Sequence, residues 1–149
     1  MTIQALKALY IRDLARLKRE INLYENDETL WRVERSIKNS GGNLCLHLIG
    51  NLKTYIGNGL ADLDYVRQRD VEFSGKGIDR MELFQQIDET IEAVKRGLDH
   101  LSEEQWNDDF PVVVWEKPTS MAFTLFHLYG HLNYHLGQIN YHRRLLERT

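Results

Sequence analysis

The sequence predicts an all-α protein built as a four-helix bundle, on three observations. Four long stretches carry apolar residues at steps of three and four, the period of a helix with one buried face. No stretch shows a convincing strand alternation, and residues that cap or break helices separate the four. The chain has 149 residues, enough for one domain with a substantial core. Its net charge of −3 and lack of a basic patch give no electrostatic footprint for nucleic acid. The Met1-Thr2-Ile3-Gln4 start lacks the basic and apolar regions of a signal peptide. No apolar run is long enough to span a bilayer. Cys45 is the one cysteine, which fits a reducing compartment. A soluble cytoplasmic domain is the expectation.

The first helix is expected over Ile3, Leu6, Tyr10, Leu14, Leu17, Ile21 and Tyr24, ended by Asn26-Asp27. Glu28 to Lys38 reads as loop or short extended chain, with Trp31 and Val33 as anchors. Ser40-Gly41-Gly42-Asn43 is a helix start. The second helix runs from about Asn43 to Ile56, closed by Gly57-Asn58-Gly59. His47 shares a face with Asn43, Asn51 and Tyr55 on that helix. Leu60 to Gly77 is longer than a tight helix hairpin needs, and includes the charged segment Arg67 to Phe73. Asp79 with Glu82 resembles a capping box ahead of Leu83, Ile87, Ile91, Val94, Leu98 and Leu101. After a short turn at Ser102 to Trp106, the β-branched run Phe110 to Trp115 is expected to lie extended across one end of the bundle. Pro118 bars a helix, and Thr119 or Ser120 caps the next one.

The fourth helix, Met121 to Glu147, holds the chemistry. On a helical wheel Met121, Leu125, Leu128, Leu132, Ile139 and Leu146 form one apolar flank. Phe123, Tyr134 and Tyr141, with Gly130 and Gly137, form the other. Between them runs a polar stripe of Thr124, His127, His131, His135, Gln138 and His142, while Tyr129, Asn133, Asn140 and Arg144 point away. A row of imidazoles facing inward is costly unless each finds a partner, and a metal ion is one such partner.

His127, His131 and His135 are four residues apart, which brings neighbours to about 6 Å along the axis and about 40° round it. The outer two are about 12 Å apart, too far for one ion with bonds of about 2.0–2.1 Å. One adjacent pair must serve, and spacing does not choose between His127/His131 and His131/His135. His47 is the best third ligand, since His100 and His142 fall at helix ends. Three imidazoles leave a position open, as in catalytic sites, and suit zinc, nickel, iron or copper. Other chemistries are excluded. The ferritin-like Glu-x-x-His repeat is missing, as are His-Glu-x-x-His, Cys-x-x-Cys-His and a nucleophile elbow. Cys45 lies about 200° round the helix from His47 and does not share the ion.

His131-x-x-x-His135-x-Gly137-Gln138-Ile139, with His47 in Leu44-Cys45-Leu46-His47-Leu48-Ile49-Gly50-Asn51, resembles the DinB/YfiT-like superfamily, in its DUF1572-like branch. The resemblance spans nearly the whole chain, 1–149 as a single domain, including the Arg-x-Arg-Asp-x-Glu-Phe loop at Arg67 to Phe73. It implies an up-down-down-up bundle, and carries the family's histidine triad onto His47, His131 and His135, leaving His127 in the core or beside the ligands. It also implies nickel or zinc, a homodimer and, as in some relatives, transfer of a low-molecular-weight thiol to an electrophile. A thiol reaching the open position would be deprotonated by the cation. Gln138 and Asn51, one turn from ligands, could orient them. Arg67 or Arg69 could pair with substrate carboxylates. The rival expectation is a non-catalytic bundle stabilised by the same histidines.

Overall fold

A computed structural model of the chain describes residues 2–147. Six α-helices are present: α1 (Thr2–Leu23), α2 (Asp27–Leu30), α3 (Gly41–Leu52), α4 (Arg69–Ser74), α5 (Arg80–Asp99) and α6 (Met121–Leu146). No strand forms among the described residues, where Asp109 and Ser120 make an isolated bridge. The helices α3, α5 and α6 each begin where a polar side chain can accept a free backbone N–H. Ser40 accepts from Asn43 ahead of α3, Asp79 from Met81 ahead of α5, and Ser120 from Phe123 ahead of α6.

The four long helices close a ring in which α1 packs on α5, α5 on α3, α3 on α6 and α6 on α1. Their directions follow from the bonds between them. Lys7 pairs with Asp99 and Lys18 with Asp88, so α1 and α5 are antiparallel. Tyr10 donates to the Leu125 carbonyl and the Tyr24 hydroxyl lies 3.2 Å from the carbonyl of Ile139, so α1 and α6 are parallel. Lys53, just past α3, pairs with Glu89, and Gly57 abuts Ala93, so this stretch runs parallel to α5. The result is up-down-down-up. Two consecutive parallel helices need a connection that travels the length of the bundle, which accounts for the long segment between Leu60 and Asp79. The core is apolar, with Leu14, Leu17, Ile21, Leu48, Leu52, Ile87, Leu125 and Leu132 fully buried.

Several local expectations change. The second long helix does not stop at Gly57-Asn58-Gly59. It widens into a π-helical turn, Lys53–Asn58, and regains α geometry at residues 59–60. The Thr54 hydroxyl donates to the Gly50 carbonyl at 2.7 Å, competing with the backbone ladder where the widening begins. The two glycines serve close approach instead, Gly57 beneath Leu63 and Gly59 beneath Val112. The Glu28 to Lys38 region begins with the short helix α2, capped by Asn26. Trp31 is buried as an anchor, whereas Val33 is exposed. The outward faces of α6 are also exchanged. Phe123, Tyr134 and Tyr141 are 58%, 65% and 65% exposed. Tyr129 bonds Asp13 at 2.5 Å and Asn140 bonds Glu20 at 2.9 Å. Of the residues expected to point away, Tyr129 and Asn140 face α1, because α1 offers them charged partners, whereas Arg144 is exposed.

Candidate metal centre

His47 is placed by α3, and His131 and His135 by consecutive turns of α6, the helix packed against it. One nitrogen from each ring lies within 4.8 Å of the other two. His47 Nε2 and His131 Nε2 are 3.1 Å apart. The His47 ring centroid is 5.0 Å from that of His131 and 5.1 Å from that of His135.

The outer nitrogens decide what the inner ones can do. The Nδ1–H of His47 donates to Glu72 Oε2 at 2.9 Å, and the Nδ1–H of His135 donates to Gln138 Oε1 at 2.7 Å. A neutral imidazole carries one proton. With it fixed on Nδ1, both rings keep an unprotonated Nε2, and that of His47 faces His131. Acceptors that lock the tautomer in this way are a recurring support of metal-ligating histidines. His131 Nδ1 is buried without a partner, as is Asn51 Oδ1.

The three rings are held neutral. Burial pushes His47 and His135 below the ordinary histidine value, outweighing the upward pull of Glu72 and Gln138. Burial, and then the nearby His135 and His47, push His131 down to about 3. Neutral rings have lone pairs available for coordination.

Glu72 was not foreseen from the sequence as a site residue. It is 4% exposed, and Arg67 clamps it with Nε on Oε1 at 2.7 Å and Nη2 on Oε2 at 3.0 Å. Arg67 is thus turned inward and occupied, while Arg69 lies over the Phe73 ring. A methyl group at Gly50 would fall on the Glu72 carboxylate, so glycine at that helical position lets the acid reach His47. Asn43 fixes α4 by donating from Nδ2 to the carbonyls of Glu72 (3.0 Å) and Gly75 (2.8 Å). Phe73 packs on the His47 ring at 5.0 Å. The sequence signals were the mid-helix glycine three residues after His47 and the arginine-rich loop of unusual length.

Two expectations are corrected. Asn51 makes no hydrogen bond to a histidine of the cluster, because Glu72 occupies the Nδ1 side of His47. His127 is exposed, its ring packed between Trp115 at 4.5 Å and Phe123 at 6.5 Å, because it lies on the outward stripe of α6. Gln138 does orient a ring, that of His135. His142 is a structural residue, with Nδ1 accepting from Tyr24 and Nε2 donating to the Arg32 carbonyl. Cys45 is fully buried, its thiol pushed up to about 12 by that burial, and takes no part.

Fold and site together define an all-helical bundle with a three-histidine cluster where α3 meets α6. The family described as a protein of unknown function (DUF1572) matches residues 3–149, and the chain belongs to that family. A conserved protein from Enterococcus faecalis has a similar solved structure, with a TM-score of 0.75 and 18% identity over 96% of this chain and 95% of that one. That likeness concerns the fold alone. No curated protein matches the chain.

Proposed function

We propose that His47, His131 and His135 hold a divalent metal ion, nickel or zinc, and that the chain is a metal-dependent protein of the DinB/YfiT-like type. Its reaction would transfer a low-molecular-weight thiol to an electrophile. The observation that carries the metal reading is the pair of locked tautomers, Glu72 on His47 and Gln138 on His135, which keep an Nε2 lone pair free on two of the three clustered rings. Three neutral nitrogen donors suit zinc and nickel and leave room for a further ligand. Bound there, a divalent ion supplies the charge that favours the deprotonated form of an incoming thiol or water.

The chain's own residues do the rest. Arg67 balances the buried Glu72 carboxylate, so that the acid can hold His47 without an unpaired charge. Phe73 and Tyr134 pack on His47 and His135, limiting ring motion. Gln138 also lines a cavity of about 400 Å³ with Leu44, Asn39, Tyr141 and His142, whose wall has none of the three histidines. A larger cleft of about 870 Å³ lies along α5 and has none of the three histidines in its wall. That separation favours the second reading, a non-catalytic bundle in which the ion stabilises the fold.

Metal analysis of the loaded protein, followed by a screen of small thiols against chloro- and epoxy-electrophiles, tests both. One ion per chain, lost in His47→Ala, with conjugation above the uncatalysed rate, supports the enzyme. One ion per chain with no turnover, and unfolding on chelation, supports the structural reading. Absence of binding in the wild-type chain contradicts both.

A further inference from the structure

The cavity of about 400 Å³ beside residues 36–39 has no carboxylate in its wall. The chain carries 22 acidic residues and a net charge of −3, so a hollow with a lysine at its edge and no acid is a local reversal of sign. That lysine, Lys38, is exposed, and no carboxylate among the described residues pairs with it. The floor is fixed and neutral, with Leu44 and His142 both buried. His142 accepts a hydrogen bond from Tyr24 at 2.7 Å and donates one to the Arg32 carbonyl at 2.9 Å. Both ring nitrogens are therefore used, and burial holds the ring below the ordinary histidine value. The walls are Ile37, Tyr141 and Leu145, of which Tyr141 and Leu145 are 65% and 42% exposed. Apolar area left in water in this way gains from being covered.

The polar groups at this cavity favour an anion. Gln138 has committed its Oε1 to the Nδ1–H of His135 at 2.7 Å, which leaves its amide N–H groups to donate. Lys38 supplies an ammonium with three donors and no acceptor, and Ser36 and Asn39 add neutral groups that can also donate. A largely apolar hollow of a few hundred cubic ångströms with a few polar groups is the common form of a small-molecule site. We propose that this cavity binds a small organic carboxylate with an apolar or aromatic body. The body lies against Leu44, Tyr141 and Leu145, and the carboxylate is held by Lys38 and the Gln138 amide. A cation would meet Lys38 with no acid to hold it, and a purely polar anion would leave the apolar walls uncovered. None of the three clustered histidines lines the cavity, so the site stands whether or not a metal is held between them.

Benzoate is the probe, titrated into the isotopically labelled full chain, as isolated and again in chelator, with backbone amide shifts followed by NMR. Saturable shifts are expected at residues 36–39 and 138–145 under both conditions. Shifts that do not saturate, that centre on the cleft along α5, or that vanish in chelator overturn the proposal, the last because it would put benzoate on a metal ion instead. Charge is tested with Lys38→Gln, which alters an exposed, unpaired side chain and should keep the melting temperature while weakening benzoate roughly tenfold. Benzyl alcohol has the ring without the charge, and should bind both chains equally and more weakly than benzoate binds wild type. Acetate has the charge without the ring, and should also bind more weakly than benzoate. Equal affinity of benzoate for wild type and Lys38→Gln, or a control ligand that binds as tightly as benzoate, refutes the site.

Discussion

Glu72 shows how much one side chain adds to the three histidines. A buried carboxylate is tolerable only when paired, and Arg67 on one side and the His47 Nδ1–H on the other supply the pairing. Under the proposed function, Glu72→Gln should weaken zinc binding by roughly 10–100-fold, as read by competition with a chromophoric chelator. Gly50→Ala should do the same without touching an ionisable group, because its methyl displaces the carboxylate. An unchanged affinity in both variants would remove Glu72 from the account. The pH dependence of the metal-free chain has a definite sign. The folded chain resists protonating His131 down to about 3, whereas the unfolded chain takes up that proton near 6.5. Stability is therefore full above 6.5 and declines as pH falls from there towards 3. Melting temperatures recorded in chelator across that window should fall less steeply for His131→Gln. His47, His131 and Gln138 were legible from helical spacing, and the resemblance selected His135 over His127. Glu72 was not legible, because its contact with His47 joins residues 25 apart through a loop whose path spacing does not reveal.

At the scale of elements, α3 does three tasks at once. Its N-cap Ser40 bonds Asn43, Asn43 anchors α4, and α4 delivers Glu72 to His47. Asn43→Ala should destabilise the chain by about 1–3 kcal/mol, the cost of leaving buried polar groups unpaired, measured by urea denaturation. A change within error would show that α4 is held by other contacts. The periodic apolar stripes made all four long helices legible, and the caps located the starts of α3, α5 and α6. Two readings failed for physical reasons. Gly57 and Gly59 looked like a stop signal, but they admit Leu63 and Val112 at close range, and the backbone widens instead of ending. On α6, apolar and aromatic residues occupy most of the circumference, so periodicity alone could not say which flank faces inward. The charged partners on α1 decided it, and they cannot be seen from the α6 sequence.

For the whole molecule, the up-down-down-up order sets α3 against α6, and so brings together histidines 84 residues apart in the chain. No helix of the described residues is long and apolar enough to cross a membrane. The central claim is that the three rings share one ion, and X-ray absorption on the zinc-loaded chain tests it most directly. The account predicts a first shell containing three imidazole nitrogens at about 2.0–2.1 Å, reduced by one in each of His47→Ala, His131→Ala and His135→Ala. A shell with fewer than three imidazoles, or one that the three substitutions leave unchanged, would contradict it.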